Sequence, residues 1–573
     1  MITKSIPVAG GLLAAMLTSA WAQGVPITAA EQQLRLEQER LRQEQERTRP
    51  VQAPSGVDLE AVQPVVPMAQ PRGPCSDIQT VRLTGAHALG ADEQALLTDD
   101  FSGRCLSAVD IQRVLGAVTK HYIDRGFITA RAYLPAQDLR SGELRILVQE
   151  GRIERMEVRG DDARRINAGL ASPVREGDVL NIRDLEQMVD QLNAVRGNKV
   201  KLDLLPGSAP GQTVVVLSNT AASPLGLLVS MDNMGSKATG RGSISATVVA
   251  GSLWRTNETI GLTLRSTVPH TREQSAHSAS LVYSLPLGHW TLGLNLAESR
   301  FSTGFILQYP SGGVQSYVAG RSTTYGLSVD RVLRRDQASL HKAVFELSKV
   351  DTKNYFEQPQ SGVSQFLAAN SRQSSVATLG VRSMWLLPNA MFTLAPQLTF
   401  GVADKSYLQG INSARQGSAH FSKYTLGATF SQGFQVGGQD MAWNSEFRGQ
   451  YSPDKLLAVH QMLIGGPPSV RGYLDSSLSG ESGYVWRNDV ALKKQFQVGA
   501  DTVQARFYAG YDVGQVRNHD AGAFEGRMSG LALGVAAQWR RVDMDVSWNR
   551  PVDRPAWMAR ETSRVLVRLT YRY

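Results

Sequence analysis

The sequence predicts a mainly β fold, a 16-stranded antiparallel transmembrane β-barrel preceded by two small α/β units and an N-terminal helix. Three observations support this fold class. From about residue 223 to the end, short segments alternate apolar and polar residues. The stretch before them repeats one pattern of strands and helix, and the amino terminus has the features of an export signal. A chain of 573 residues is long enough for several such domains.

Residues 1–22 have the pattern of a secretory signal peptide. Lys4 provides a positive start, an apolar run extends from Val8 to Leu17, and Ala20-Trp21-Ala22 places small residues at the cleavage positions. We therefore expect cleavage between Ala22 and Gln23. The apolar run is shorter than the roughly 18 residues of a membrane helix, and no later run reaches that length. The mature chain is thus predicted to be exported without a helical membrane anchor.

Residues 23–50 are predicted to form a polar helix. Thr28 and Glu31 make a capping box, and Glu, Gln, Arg and Leu, which favour helices, dominate the following residues. The leucines, Leu34, Leu36 and Leu41, are too few to embed the helix in a core, so composition alone favours a solvated helix. From Glu31 to Thr48 the helix would be about 27 Å long. A Pro-rich, extended linker is predicted for residues 51–74.

Residues 75–222 contain the order strand, helix, strand, strand twice. The first unit, 75–150, has a strand from Ile78 to Leu83, a helix capped by Ser107, and the strands FITARAYL and GELRILVQE. The second unit, 151–222, has the strand RIERMEVRG, the helix NIRDLEQMVDQLN, and the strands KVKLDLLP and QTVVVLS. Each unit is about seventy residues long, a typical size for a small domain.

Cys75 and Cys105 are the only cysteines, and an even pair in an exported chain favours a disulfide, with two free buried thiols as the alternative.

Composition excludes several functional classes. The net charge of +9 is spread over scattered Lys and Arg, without a basic block interleaved with aromatic residues, so nucleic-acid binding is not predicted. The chain contains no G-x-S-x-G, no H-E-x-x-H and no clustered His or Cys ligands. We therefore predict no enzymatic activity, no metal site and no cofactor.

Residues 223–573 are predicted to form the barrel. In the last segment the apolar residues share one face, and they are Val565, Val567, Leu569, Tyr571 and Tyr573. The polar residues share the other face, and they are Arg564, Arg568, Thr570 and Arg572. A soluble sandwich could not bury both faces, whereas lipid can take the apolar face and an aqueous lumen the polar face.

We count about sixteen such segments, the even number that a single-chain outer-membrane barrel requires. They begin near residues 224, 243, 258, 278, 289, 322, 340, 376, 391, 422, 441, 484, 502, 529, 541 and 564. The segments near 278 and 376 have the weakest pattern. Because Pro396 has no backbone N–H for the ladder, we expect a bulge or a broken strand at that position. Sixteen strands would leave an aqueous channel.

The stretch PPSVRGYLDSS lies in an unusually long connection, residues 452–483. Strand parity places this connection outside the cell, after the eleventh segment. The thirteenth segment, DTVQARFYAGYDVG, alternates so that Asp512 points into the lumen. If the long loop folds inward, Arg471 gains a carboxylate partner that could be bidentate. A solvated Arg and a solvated Asp remain the alternative.

Two motifs carry a resemblance to a known family. Val470-Arg471-Gly472-Tyr473, with Gly510-Tyr511-Asp512-Val513-Gly514, resembles the paired motif of the POTRA-barrel superfamily, in which the Arg of the inward-folded sixth external loop pairs with the Asp of the G-x-D-x-G strand. The stretch from His121 to Gly160 is similar to the first POTRA domain of two-partner secretion transporters, the haemolysin secretion/activation type. The order of all predicted parts matches that family. One departure is the terminal Tyr573, where such chains usually have Phe.

The resemblance implies a translocation pore in the bacterial outer membrane, with its POTRA domains in the periplasm. These domains would bind one large secreted β-helical partner protein, an adhesin, a haemolysin or a contact-dependent inhibition toxin, which crosses in extended form without nucleotide hydrolysis. The resemblance leaves open whether passage also activates the partner. The polar helix, including Glu31, Leu34, Leu41 and Thr48, would be the family's plug helix inside the barrel.

Other partners and other classes also follow from the resemblance. Outer-membrane lipid would contact the barrel wall, and the barrel-assembly machinery and periplasmic chaperones would bind the chain during biogenesis. An outer-membrane protein assembly insertase shares the loop motif, but that branch usually has more POTRA units and no plug helix. A passive porin would lack the periplasmic units.

Overall fold

The computed structural model describes residues 35–36, 38–39, 74–160, 165–309, 312–359, 363–366, 372–406, 420–520 and 523–573. The predicted signal peptide with its cleavage site at Ala22 and Gln23, and the linker up to residue 73, lie outside the described residues. So do four residues assigned to the plug helix, which are Glu31, Leu34, Leu41 and Thr48. Arg35, Leu36, Gln38 and Glu39 from the same stretch are described and are helical.

The first α/β unit contains five strands and two α-helices, with 3-10 turns at Asp99–Phe101 and Leu139–Ser141. In chain order these are β1 Cys75–Ile78, β2 Thr80–Thr84, α1 Ala91–Thr98, β3 Arg104–Ser107, α2 Ala108–Asp124, β4 Arg131–Tyr133 and β5 Glu143–Gln149. Strands β2, β5 and β4 form a sheet in that order, with β2 parallel to β5, and β1 pairs with β3. The Ser107 hydroxyl caps α2 by accepting a hydrogen bond from the backbone of Asp110. The apolar face of α2 then packs on β5 in one buried core.

The second α/β unit is built in the same way. Its elements are β6 Arg152–Arg159, α3 Ala168–Ala171, α4 Ile182–Ala194, β7 Val200–Pro206 and β8 Gln212–Asn219. The sheet order is β6-β8-β7, with β6 parallel to β8 and β7 at an edge. Leu185, Met188 and Leu192 of α4 are fully buried against this sheet. No helix in the described part of the chain is long and apolar enough to cross a membrane.

The predicted order of elements was wrong by one helix in each unit, and the first unit also has a strand that was not predicted, β3. Both units have an additional helix before the amphipathic one, α1 in the first unit and α3 in the second. Leu96 of α1 is exposed and α3 has four residues, so neither helix carries a helical apolar period that sequence could reveal. The predicted strand Ile78–Leu83 is also divided, because β1 ends at Ile78 and β2 begins at Thr80.

The barrel closes with sixteen antiparallel strands, as predicted. They are β9 Leu225–Asp232, β10 Ser243–Gly251, β11 Thr259–Thr267, β12 Gln274–Leu287, β13 Trp290–Tyr309, β14 Gly312–Arg335, β15 Ser339–Gln358, β17 Arg372–Leu387, β18 Ala390–Ser406, β19 Ser422–Val436, β20 Gln439–Tyr451, β23 Ser482–Val498, β24 Asp501–Arg517, β25 Gly526–Trp539, β26 Val542–Asp553 and β27 Arg564–Arg572. The short strand β16, Val363–Phe366, extends the end of β15, while β21 Met462–Ile464 and β22 Leu478–Gly480 pair with each other outside the wall. Pairing of Arg568–Arg572 with Leu228–Asp232 closes the barrel.

The alternation that predicted the barrel is visible in the exposed faces. The five apolar residues of the last segment, from Val565 to Tyr573, are all exposed on the outer wall. Met544 and Trp548 of β26 are exposed on the same wall. A closed barrel leaves no unpaired strand edge in the hydrocarbon, so these side chains can face lipid at no cost in backbone hydrogen bonds.

The expectation for Pro396 was wrong. Strand β18 runs unbroken through this residue, and Pro396 keeps its register opposite Leu426 of β19. Toward β17 the register is the same on both sides of the proline, and only two pairs of the ladder are missing. The missing N–H therefore costs local hydrogen bonds on one side of the strand, and the bulge between β17 and β18 lies instead between Ser375 and Val376.

Contacts with the second α/β unit identify the end of the barrel that faces this unit. Arg335, at the hairpin after β14, lies 3.4 Å from Glu186 and 2.7 Å from Asp190 of α4. At the hairpin after β10, the amide of Asn257 exchanges hydrogen bonds with the backbone of Asn167. The connection between β20 and β23 is at the opposite end of the barrel.

Candidate functional site in the barrel lumen

The connection between β20 and β23, residues 452–481, folds back into the barrel. It is slightly shorter than predicted, because Gly483 belongs to β23. It contains a 3-10 turn, Ala458–His460, and the β21–β22 hairpin. Side chains of the loop and of the neighbouring wall form one buried apolar cluster, which comprises Ile464, Val470, Tyr473, Leu478, Val485, Val516, Met528 and Met558. We call this connection the lumen loop.

Arg471 of the lumen loop meets the carboxylate of Asp512 on β24. Its Nε and Nη2 donate to the two carboxylate oxygens at 2.6 Å each, and its backbone N–H donates to Oδ2 at 2.9 Å. The side chains are 8% and 0% exposed. Asp489 of β23 lies 2.7 Å from the same guanidinium. The arrangement is a buried bidentate pair with a second carboxylate beside it.

The charge of Arg471 is retained despite burial. Loss of hydration would lower the pKa of its guanidinium, but the hydrogen bonds and negative charges of Asp512 and Asp489 outweigh this and raise the pKa above its ordinary value. Arg471 is therefore positively charged at every pH that the cell envelope experiences.

Two glycines of the predicted motifs leave room for this pair. Gly472 has φ of +102°, and a Cβ there would lie 2.7 Å from the backbone carbon of Arg550. A Cβ on Gly510 would lie 2.3 Å from Nη2 of Arg471. Any larger residue at either position would move the loop or the wall. The third motif glycine, Gly514, faces Val470 at a Cβ distance of 3.2 Å.

Tyr473 completes the loop motif on the neighbouring strands. Its side chain is fully buried, and its hydroxyl lies 2.5 Å from the carbonyl oxygen of Asp553 and 3.3 Å from that of Ser529. The hydroxyl donates to these carbonyl oxygens, so the polar group of this buried side chain is hydrogen-bonded rather than left without a partner. All four residues from Val470 to Tyr473 are thus brought together with Gly510, Asp512 and Gly514.

His460 fixes the lumen loop to the other side of the barrel. Its Nε2 lies 2.8 Å from the Ser374 hydroxyl on β17, and its ring packs against Phe421 with centroids 4.8 Å apart. Burial, with the nearby charges of Lys423 and Arg35, lowers the pKa of His460 to about 3. Sequence reasoning missed this residue, because one histidine in a long loop has no pattern that separates it from a solvated one.

The described helical residues contact both the lumen loop and the wall. Leu36 is buried, and the Arg35 guanidinium lies 3.4 Å from the Gln461 side chain of the lumen loop. Glu39 accepts a hydrogen bond from Arg448 of β20 at 2.9 Å. The same Arg448 donates to the carbonyl of Pro468 at 2.6 Å. One wall residue therefore holds the helix and the lumen loop together.

The external end of the lumen loop is held by a carboxylate that the sequence analysis did not identify. Glu561, in the connection before β27, accepts hydrogen bonds from the consecutive backbone N–H groups of Leu474, Asp475 and Ser476 at 2.8–3.3 Å. Asp475 in turn lies 2.6 Å from Arg241, in the connection after β9. These contacts fasten the loop to both edges of the closure between β9 and β27.

Away from the lumen, the structure joins Cys75 and Cys105 in a disulfide. It links β1 to β3 in the first α/β unit, close to the start of α2. Seven residues of the chain's sequence motifs thus lie at one site in the lumen, whereas the cysteines lie at another.

Comparison with known proteins identifies the family. Residues 211–537 match the sequence model of the haemolysin secretion/activation proteins ShlB/FhaC/HecB, residues 76–151 match the ShlB-type POTRA domain, and residues 152–206 match a second POTRA domain. The chain belongs to the haemolysin secretion/activation protein family. The predicted family and the predicted location in the outer membrane are confirmed, and the chain is a secretion transporter with two POTRA domains.

Several relatives match this chain over most of their length. The outer membrane transporter CdiB of Dickeya dadantii is 30% identical over 503 residues, which cover 86% of this chain and 85% of that protein. The hemolysin transporter protein ShlB of Serratia marcescens is 30% identical over 487 residues, covering 85% and 84%. Among solved structures, CdiB from Escherichia coli has a TM-score of 0.82 at 25% identity, covering 94% of this chain and 98% of that one.

Proposed function

We propose that this transporter secretes one large β-rich partner protein, captured in extended form by its POTRA domains and passed through the barrel without nucleotide hydrolysis. An adhesin, a haemolysin and a contact-dependent inhibition toxin all fit this description. The observation that carries the proposal is that a barrel wide enough for a channel contains two separate elements, the described helical residues and the lumen loop, that polar contacts hold in place.

The nature of the helix contacts supports a plug that can leave the channel. The described helical residues donate or accept hydrogen bonds with the lumen loop and the wall, Glu39 forms an ion pair with Arg448, and Leu36 adds a buried apolar contact. Polar contacts in a wet lumen exchange for contacts with water, so each contributes little net free energy. We infer that residues 23–50 form a plug that occludes the resting pore and leaves during secretion.

The lumen loop is held more firmly than the helix. Its Arg471 pair is buried and bidentate, and an apolar cluster surrounds it. We infer that Arg471 and Asp512 anchor the loop in its inward position, where it shapes the passage. In this arrangement the helix is displaced first and the loop remains as part of the pore.

The exposed edge of β7 supports a site for the partner. In the second POTRA sheet, β7 is an edge strand of seven residues, and no other described strand pairs with its outer side. An extended segment can add to such an edge through main-chain hydrogen bonds. Helix α4 is less suitable, because its residues Glu186 and Asp190 already face Arg335 of the barrel. We infer that the partner pairs with β7.

Two further partners belong to the route by which the barrel reaches the membrane. Before the strands close, the apolar side chains of the outer wall face water in the periplasm, where they would aggregate. We infer that periplasmic chaperones cover them and that the barrel-assembly machinery inserts the chain.

The proposal is tested in cells that carry this transporter together with the large exported protein encoded beside its gene. That partner is assayed outside the cell with and without the transporter, and the folded amounts of unrelated outer-membrane barrels are measured in parallel. Loss of the external partner, with other barrels unchanged, is the expected result. If the partner still appears outside while other barrels fail to assemble, the chain is an assembly insertase and the proposal is wrong.

A further inference from the structure

A row of basic side chains crosses the outer wall of the barrel. In the strand register, His277 of β12 lies opposite Arg300 of β13. Arg300 in turn lies opposite Arg321 of β14, and Arg321 opposite Lys353 of β15. Residues directly opposite on antiparallel strands have Cβ atoms about 5 Å apart. We call these four side chains the basic row.

The basic row points away from the lumen. Arg321 has the same alternation as Tyr325 and Leu327, which are exposed on the outer wall, and Lys353 has that of the exposed Leu347. The side chains of Arg300 and Arg321 are 58% and 49% exposed. The basic row is therefore accessible from outside the barrel, on the wall that carries the lipid-facing residues.

Its height places it at the external boundary of the membrane. Trp290 begins β13 at the POTRA end, and Arg300 follows ten residues later. At about 3.3 Å per residue and a tilt of about 40°, this separation is about 25 Å along the membrane normal, the height of the apolar band. Arg300 thus lies where the hydrocarbon ends and the headgroups of the outer leaflet begin.

The charges around the basic row do not balance. Like charges directly opposite on adjacent strands destabilise a sheet. Glu298 accepts hydrogen bonds from both Arg300 and Arg321, but among the described residues neither Lys349 nor Lys353 has an ion-pair partner.

This part of the wall has four permanent cations, which are Arg300, Arg321, Lys349 and Lys353. It has two carboxylates, which are Glu298 and Asp351. The wall therefore has a local excess of two positive charges that an external anion would neutralise.

The basic row contrasts with the wall on β19 and β20. On β19 and β20 the outward residues near the external end are Tyr424 and Tyr451, which are uncharged and about half exposed. Aromatic residues of this kind form the usual girdle at a membrane interface. On the strands from β12 to β15, the basic row instead lies at the external end of the apolar band.

We propose that the basic row binds the phosphate groups of an outer-leaflet lipid, a phosphorylated glycolipid of the lipopolysaccharide class. Guanidinium groups match phosphate oxygens in pairs, and lysines add positive charge without a fixed geometry. The acyl chains of the same lipid lie on Tyr325, Leu327 and Leu347 just below the row. A lipid satisfies both surfaces at once, whereas a soluble anion would satisfy only the charges.

The test uses the purified full-length transporter in detergent, incubated with lipopolysaccharide or with the same lipid after enzymatic dephosphorylation. Bound lipid is measured by native mass spectrometry. The test variant is R300S/R321S/K353S, and the control is R527S, which removes an exposed arginine from the outward, external end of β25. We expect the triple variant to bind the phosphorylated lipid at least about tenfold more weakly, because it removes three of the four permanent cations that surround one phosphate site, whereas Arg527 lies on another strand, opposite the uncharged Gln515. The control should bind as the wild type does.

Three results would overturn the proposal. The triple variant could retain the wild-type affinity, the dephosphorylated lipid could bind equally well, or inorganic phosphate could bind the row while the lipid does not. Folding is checked by the heat-dependent shift in electrophoretic mobility of the barrel. If the triple variant does not fold, K353S serves instead, since it removes no ion pair among the described residues and should still weaken binding several-fold. R300K/R321K/K353R keeps the charges and should retain most of the binding.

Discussion

Replacing Arg471 with alanine should release the lumen loop from the wall and reduce secretion. The variant removes two hydrogen bonds of 2.6 Å from a carboxylate that is fully buried, and leaves the backbone N–H of residue 471 as a remaining donor. Hydrogen bonds to charged groups contribute about 1.5–3 kcal/mol each, so two of them amount to about 3–6 kcal/mol. Removing one partner of a buried ion pair costs about 3–5 kcal/mol, which agrees.

A loss of about 4 kcal/mol corresponds to a shift of nearly three orders of magnitude in the ratio of docked to released loop. Besides the backbone N–H of residue 471, the positive charge near Asp512 would be that of Arg487, whose Nε lies 3.7 Å away, too far for a hydrogen bond. We therefore expect a lumen loop that is released in a substantial fraction of molecules, while the sixteen-strand ladder, which does not depend on Arg471, stays intact.

The assay compares Arg471→Ala, Asp512→Ala and the double variant with Arg560→Ala, which changes an exposed arginine in the connection before β27. Folded barrel is quantified by heat-modifiable mobility, loop release by thiol labelling of a cysteine placed at Ser469, and secretion by the amount of partner outside the cell. The single variants should label faster and secrete less, with near-normal amounts of folded barrel. The double variant should reduce secretion by less than the combined effect of the two single variants, because both remove the same pair. Unchanged secretion and labelling in both single variants would refute the anchoring role.

The other predictions concern the plug, the bridging arginine, a motif glycine and the buried histidine. Deleting residues 23–50 should raise single-channel conductance in a planar bilayer, and an unchanged conductance would argue against a plug. Arg448→Ala should increase the frequency of open events without deletion of the helix, because it removes the contacts with both Glu39 and the lumen loop. Gly510→Val should lower secretion as much as Arg471→Ala, since its Cβ would occupy the space of the Arg471 guanidinium. Because the pKa of His460 is lowered to about 3 in the docked loop, a released loop binds a proton that the docked loop does not as pH falls below about 6.5. Measured relative to an exposed reference cysteine at the same pH, which removes the effect of thiol ionisation, loop labelling should therefore increase from pH 7.5 to pH 5, and His460→Gln should remove that dependence; a relative labelling rate that does not respond to pH would contradict it.

Most of the wall could be predicted because it depends on a local property of the chain. Lipid on one side and water on the other impose a period of two on each strand, which residues such as Val565 and Arg568 show without reference to any other strand. The helices α1 and α3 could not be predicted in the same way, because α1 carries an exposed apolar residue, Leu96, and α3 has four residues, too few to show a period. The pairing of Arg471 with Asp512 was suggested by alternation and parity together with a family motif.

Other features depend on which residues the fold brings together across long separations in the chain. The bridge through Arg448 joins residue 39 to residue 468, and His460 reaches a hydroxyl 86 residues earlier. Neither contact has a signal in the sequence, because a polar residue in a polar lumen looks the same whether its partner is water or another side chain.

From the sequence alone came the prediction of an exported chain, from its amino-terminal pattern, and of a lipid-facing barrel with two α/β units before it, from the period of each segment. Only the tertiary structure decided the register, which sets Arg300 beside Arg321 and Lys353 on the outer wall and leaves the edge of β7 open. The physical reason is that alternation tells each strand which side faces lipid, whereas the height of one strand against the next is set by the hairpins and by hydrogen bonds that every backbone can make equally well.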